Sequence, residues 1–414
     1  IHDLPSSDQL HSYAPAGIAA LGKTVVLKLN GGLGTSMGMT RAKSLLPAKN
    51  GLTFLEISAR QVLRFRETHR TKVPLILMNS FRTRRDSLAV LAGFAALSAG
   101  LPEDFLQNKV PKVRADDLTP VEWKRDPEQE WCPPGHGDLY PALQSSGLLA
   151  ELLQRGIEYM FVSNSDNLGA VLDLSILGWF AQERIPFLME ATDRTESDKK
   201  GGHLARRVQD GRLVLREVAQ CPSAEMDEFQ DITLYRYFNT NTLWLNLPAL
   251  NAALSANEGA LDLALIRNVK TVDPSDPSSP KVIQLETAMG AAISTFGGAR
   301  ALRVPRERFI PVKTTADLLA LWSDLYGLDE DFRLTIAAGR RPGDLPIELD
   351  PRFYARIDQL EAHFPRGAPS LRKCTRLAVR GEVFFGEGVE CRGDVRVVHE
   401  GKEPLHIPDG KVLS

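Results

Sequence analysis

The sequence predicts an α/β protein, with an open parallel or mixed sheet covered on both faces by helices and a small all-β unit at its C-terminal end. Three observations predict this. Short apolar runs alternate with helical patterns over most of the chain. The first of those runs passes straight into a glycine-rich loop, and from about Leu371 short β-like pieces alternate with glycine turns. With 414 residues, 43% of them hydrophobic and 25% charged, the chain can bury two or three substantial cores, and its formal charge of -2 offers no electrostatic footprint for nucleic acid or an anionic membrane.

Residues 1–20 read as a polar N-terminal extension. The opening "IHDLPSSDQLHSYAPAG" has no basic segment followed by a long apolar run, and no stretch of the chain is long enough to span a bilayer. The four cysteines are scattered and never form CxxC, which argues against a disulfide framework or a closed zinc site and for a reducing cytoplasm. "KTVVLKL" (residues 23–29) predicts a buried strand, and "TFLEISARQVLRFRETH" (53–69) a helix beyond the glycine loop. Strand-like runs return at "VPLILMN" (73–79), "EYMFVSN" (158–164) and "IPFLMEAT" (185–192). Ligands of such sheets bind outside the carboxyl ends of the strands, and there the residues turn polar: Asn30, then Asn79 and Ser80, then "SNSDN" (163–167). Residues 21–330 are therefore expected to form the catalytic domain. Residues 331–414 are expected to form a linker and a β domain, whose "LAVRGEVFFGEGVECRGDVRVV" resembles coils of a β-solenoid.

The loop "NGGLGTSMG" carries Gly31, Gly32, Gly34 and Gly38 beside Asn30 and Thr35, and fits neither GxGxxG nor GxxxxGK[ST]. A tight turn needs one or two glycines, so four of them after a strand point to main-chain amides cradling a phosphate. Lys43 follows closely enough for its ammonium to fold back onto the same phosphates. "CPPGHGDLY" holds His136 in a stiff loop, either as a site residue or as a hydrogen-bonded connector. Asp166, two residues beyond a strand, can hold Mg²⁺ against a nucleotide or close an Asx turn. Lys313 precedes a helix in "IPVKTTADL", and Glu217, Asn239 and Asn241 are of the type that reads sugar hydroxyls. No Ser-His-Asp spacing or HExxH is present. The remaining inventory suits nucleotidyl transfer, where positioning and charge neutralisation do most of the catalysis.

The motifs "KLNGGLGTSMG", "LMNSF", "PPGHGD", "FVSNSDNLGA", "KGG", "FNTNTLW", "VIQLETAMGAAI" and "VPRERFIPVKTTADL", in this order, resemble the eukaryotic-type UDP-glucose pyrophosphorylases. The resemblance implies a glycosyltransferase-A-like, Rossmann-type catalytic domain followed by a left-handed β-helix. It also implies Mg²⁺-dependent, reversible transfer of a uridylyl group from UTP to glucose 1-phosphate, giving UDP-glucose and pyrophosphate. Carried over by residue, it puts Leu29, Asn30, Gly31, Gly32, Gly34 and Thr35 around the nucleotide, Gln107 on uracil, Gly135 against base or ribose, and Asn164 on ribose. His136, Gly202, Glu217 and Asn241 fall on the sugar phosphate, Asp166 on the metal, and Lys43 and Lys313 on the catalytic positions. The chain departs from the family pattern at "MTRAKS", which lacks a glycine-proline before the lysine, and at Ser165, where isoleucine is commoner. It ends at "HIPDGKVLS", so association into a homo-oligomer is left open. The alternatives are a uridylyltransferase for galactose 1-phosphate or an N-acetylhexosamine phosphate, and a non-catalytic UDP-sugar-binding protein.

Overall fold

Alternation of apolar side chains along the strands builds a three-layer molecule. The computed structural model describes residues 1, 3–274 and 276–414; residues 2 and 275 and the side chains of Ser36 and Ser197 lie outside the described residues. The nine-stranded central sheet comprises β1 (Thr24–Asn30), β2 (Leu75–Asn79), β3 (Asp104–Leu106), β4 (Tyr159–Asn164), β5 (Phe187–Asp193), β6 (His203–Arg206), β7 (Leu213–Arg216), β8 (Tyr237–Asn246) and β9 (Arg300–Arg303). Its order is β7-β6-β8-β4-β1-β2-β3, with β5 pairing β8 and β9. The half containing β4, β1, β2 and β3 is parallel, whereas β8 runs antiparallel to β4, β5 and β6, so the sheet is mixed.

Side chains alternate across each strand. Val25, Leu27, Met160 and Val162 therefore enter one core with Tyr140 and Leu143, while Val26, Phe161 and Trp244 enter another with Leu55 and Ala59. The helix expected after the glycine loop is α1 (Phe54–His69), and it starts at a capping box. Glu56 N donates to Thr53 Oγ1 at 3.2 Å and Thr53 N to Glu56 Oε2 at 2.8 Å.

From Ile347 onward the strands pair in parallel, each pairing joining segments about twenty residues apart except the first, whose partners Ile347 and Leu377 are 30 apart. β10 (Ile347–Leu349) pairs β11 (Ser370–Arg380), β11 pairs β13 (Glu390–Val398), β12 (Val383–Phe385) pairs β14 (Leu405–Ile407), and β13 pairs β15 (Val412–Leu413). Leu371, Cys374, Leu377, Val383, Phe385, Val389 and Cys391 fill its interior. That apolar cluster continues without a break into Met37, Phe54, Leu168, Val312 and Leu318 of the sheet-bearing part. The C-terminal part is thus packed beside the glycine loop, and a Cβ at Gly38 would lie 3.1 Å from Arg356 Cζ.

Candidate active site

The carboxyl ends of β1 and β4 lie side by side, with Leu29 opposite Asn164. Above them opens a cavity of about 350 Å³ lined by Leu29, Gly31, Gly32, Lys43, Met78, Gln107, Pro133, Gly135, His136, Asn164, Ser165, Asp166, Gln284 and Glu286. Its size is that of a small-molecule site.

The chain reverses after β1 so that Lys43 N donates to Gly32 O at 3.0 Å, which brings the lysine back over the glycines. Gly34 permits the reversal, because its φ of 62° lies in the left-handed region. Lys43 Nζ then bonds Asp166 Oδ2 at 2.5 Å. Gly31 is glycine for a steric reason: a Cβ there would come within 2.6 Å of Gln107 Nε2, so this amide lies directly over the loop. Ser80 Oγ holds the loop from below by donating to Gly31 O at 3.0 Å.

The opposite wall is formed by residues 133–138 and by the strand Lys281–Thr287. Gly135, at φ 83°, packs so tightly that a Cβ would stand 2.6 Å from Thr287 O. His136 Nδ1 accepts the Met289 amide at 2.9 Å, which leaves Nε2–H as the ring's donor. Burial pulls its pKa down to about 4, so the ring is a neutral donor at pH 7.

Gly202, Glu217 and Asn241 form a second group beside the cavity. A Cβ at Gly202 would meet Glu217 Oε1 at 2.4 Å, and Asn239 N donates to Gly202 O at 3.0 Å. Asn241 has a left-handed φ of 55° at an irregularity in the pairing of β5 with β8, and its Oδ1 accepts from Asn239 Nδ2 at 2.9 Å. Burial pushes the Glu217 carboxyl up to about 7, partly opposed by the Lys313 ammonium. This second group adjoins His136, since the Met289 that binds the histidine precedes Gly290, where a Cβ would lie 3.0 Å from Asn239 Nδ2.

Four of the residues expected at the nucleotide or the catalytic positions stand outside this lining. Asn30 is 1% exposed, and its amide donates to Asn79 Oδ1 and Ser87 Oγ, both at 2.7 Å, so its side chain braces the sheet and is absent from the cavity lining. The strand's alternation explains this, because Leu29 and Asn30 point to opposite faces. Lys313 lines a separate cavity of about 280 Å³ with Asp198, Arg306 and Tyr326, its Nζ 5.6 Å from the Phe238 ring and 5.9 Å from the Phe309 ring. The structure therefore does not bring Lys313 and Lys43 into one cavity. Thr35 and Gly34 also lie outside the cavity lining, behind the loop's first two glycines.

Sequence reasoning did not single out Gln284 and Glu286, which face the cavity two residues apart on one strand. The polar alternation in "VIQLET" was the available signal. It also overlooked Lys28, buried in β1, where Nζ donates to Ser163 Oγ at 2.8 Å and Ala170 O at 3.0 Å. Burial and the nearby Arg308 charge lower that ammonium to about 7.

Residues 2–392 match the family model described as UTP--glucose-1-phosphate uridylyltransferase. The chain is 42% identical over 395 residues to the UTP--glucose-1-phosphate uridylyltransferase of Pyrus pyrifolia, covering 95% of this chain and 81% of that one. A crystal structure of UDP-glucose phosphorylase from Trypanosoma brucei superimposes with a TM-score of 0.92 at 47% identity, covering 100% of this chain and 89% of the other. A mutant UDP-glucose pyrophosphorylase from Leishmania major, crystallised in complex with UDP-glucose, gives 0.91 at 46% identity, covering 100% of this chain and 88% of the other.

Proposed function

The chain belongs to the UTP--glucose-1-phosphate uridylyltransferase family, and from that premise we propose how its own residues carry out the reaction UTP plus glucose 1-phosphate to UDP-glucose plus pyrophosphate. The observation that carries the reading is the single cavity in which Gly31, Gly32, Lys43, Gln107, Gly135, His136, Asn164 and Asp166 meet. Uracil lies between Gln107 and Gly135, with the Gln107 amide reading its edge. The ribose lies over Asn164, and the triphosphate runs along the amides of Gly31 and Gly32 toward Lys43. Glucose 1-phosphate enters from the side of Gly202, Glu217 and Asn241. His136 Nε2–H donates to its phosphate, which supplies orientation without adding charge.

Asp166 would hold Mg²⁺ in this arrangement. Magnesium commonly takes one or two protein carboxylates and completes its shell with substrate oxygens and water. Among the described residues no group of three or more His, Cys, Asp or Glu that could hold a metal occurs. When bound, the ion neutralises charge on the triphosphate. An oxygen of the sugar phosphate attacks the α-phosphorus of UTP, the bond to the β,γ-pyrophosphate breaks in line, and the leaving charge is met by Lys43 and, after it turns from its own cavity, by Lys313. No general base is needed, because a phosphate monoester is already largely ionised near neutral pH.

We further read residues 1–20 as an N-terminal extension, residues 21–330 as a glycosyltransferase-A-like catalytic domain, and residues 331–414 as a linker and a left-handed β-helix. The parallel pairing of segments about twenty residues apart supports the last of these. The four free cysteines favour a reducing cytoplasm. Among the described residues no helix is long and apolar enough to cross a membrane.

Pyrophosphate release from UTP and Mg²⁺ with a panel of sugar 1-phosphates tests the reading. The expected outcome is the highest kcat/KM with glucose 1-phosphate. Release that is fastest with galactose 1-phosphate or an N-acetylhexosamine phosphate, or no release at all, would reject it.

A further inference from the structure

Asp166 and Lys313 come from segments far apart in the chain, yet one side chain holds both segments. Asn167, 1% exposed, donates through Nδ2 to Arg308 O at 3.0 Å and accepts the Ile310 amide on Oδ1 at 3.0 Å. Its backbone forms an isolated antiparallel bridge with Pro311. A carboxamide carries its donor and its acceptor on separate atoms, so it can serve the Arg308 carbonyl and the Ile310 amide at the same time. Asn167 follows Asp166 directly, and Lys313 lies two residues beyond the bridge.

The rest of the contact admits no slack. A Cβ at Gly169 would stand 2.3 Å from Glu307 O, so the two backbones run against each other. The Arg308 guanidinium bonds both oxygens of Glu190 at 2.7 Å and reaches back to Val171 O at 3.0 Å. On the far side, Asp317 Oδ2 accepts the Lys313 amide at 2.9 Å, anchoring the lysine's backbone to the following helix. On the near side, Ser165 N donates to Leu29 O at 3.1 Å, which ties the Asp166 loop to the end of β1. The path from the glycine loop to Lys313 is therefore a continuous set of backbone anchors with Asn167 at its centre.

We infer that Asn167 is a positioning residue: its carboxamide clamps the Lys313 segment to the Asp166 loop, fixing where the lysine stands relative to the carboxylate when the reaction occurs. The inference rests on the proposed role of Lys313. Asn167 itself is absent from the cavity lining and acts only through the segment it holds.

The test is a double-mutant cycle between Asn167→Ala and Lys313→Ala, measuring kcat and KM for UTP. Asn167→Ala should lower kcat roughly 10- to 100-fold, the scale on which slight misplacement of a reacting group is felt. KM for UTP should change less than about threefold, because the Asp166 loop keeps its backbone bonds, Ser165 N to Leu29 O and Asn167 N to Asn164 O, when the Asn167 side chain is removed. In the Asn167→Ala background, Lys313→Ala should cost much less than in the wild type, since its charge is already misplaced. If the two losses multiply, or if Asn167→Ala raises KM and leaves kcat alone, the clamp is not coupled to the lysine and the inference falls. If Lys313→Ala is silent in the wild type, the proposed role of Lys313 fails and takes the inference with it, an outcome distinct from simple multiplication. Asn167→Asp keeps the acceptor for the Ile310 amide and loses the donor to Arg308 O. It provides the second arm of the cycle should the alanine variant not fold, with a smaller kcat loss and the same non-additivity expected.

Discussion

The two cationic sides of the site are built differently. On the glycine-loop side, Lys43 already stands on Asp166, the Gln107 amide lies over Gly31, and Ser80 holds the loop's backbone. On the other side, Lys313 rests near two aromatic rings in its own cavity, and it is Ile310, three residues earlier, whose amide is bound by Asn167 beside the Asp166 loop. The glycine-loop side is thus already assembled, whereas the second lysine stands in a separate cavity, from which the proposed mechanism requires it to turn. In the proposed mechanism this difference reserves one cation for the charge that develops later in the reaction.

Removing each lysine should break the comparison most visibly. Lys313→Ala should raise the barrier by about 2–4 kcal/mol, the scale for loss of one preorganised donor, with the effect in kcat and little change in KM for UTP. Lys43→Ala should raise KM for UTP as well, because its ammonium belongs to the preformed side. Steady-state kinetics of both variants, with UTP varied, provide the check. Equal patterns for the two would erase the distinction between a preformed and a recruited side.

The same contrast explains what could be read from the residues alone. The glycine-loop side is a local pattern, a strand followed by four glycines and a lysine, and each of these needs only the backbone's own geometry to declare itself. Asn30 belongs to that pattern but faces the other way, because the side-chain period of a strand is two, and a loop motif cannot reveal where the strand's alternation ends. The Lys313 side depends on Asn167 meeting Arg308 and Ile310 across more than a hundred residues, and on a β5–β8 irregularity that gives Asn241 its left-handed backbone. No periodicity encodes such long-range pairings. The short strands of the C-terminal part were visible as turn spacing, but their shared core with Met37 and Phe54 was not.

A smaller effect tests the base-reading end of the preformed side. Gln107 is 9% exposed, and its backbone amide donates to Asn79 O at 2.8 Å, so truncation of its side chain leaves the loop's position unchanged. Gln107→Ala should weaken selection of UTP over other nucleoside triphosphates by about 1–3 kcal/mol, the usual cost of an unpaired buried polar group. Ratios of kcat/KM for UTP and CTP give the measurement. A variant as selective as the wild type would remove Gln107 from base recognition.

The least effect comes from the group that lies between the two sides. Burial raises the Glu217 carboxyl from its ordinary 4.5 to about 7, and the Lys313 ammonium pulls it partly back. Between those two values the folded protein holds a proton on this group that the unfolded chain releases, so the stability associated with it declines as pH rises through that window. In Glu217→Gln this decline is absent. Thermal melting of both proteins from pH 4 to pH 8 should therefore show the wild type losing roughly 2–4 °C relative to Glu217→Gln as pH rises, with the difference complete just above pH 7. Lys313→Ala removes the opposing cation and should carry the end of that decline to higher pH. If the Lys313→Ala curve superimposes on that of the wild type, the lysine's charge does not reach Glu217 in the free protein, and its swing toward the reaction begins farther from the sugar side than the geometry indicates.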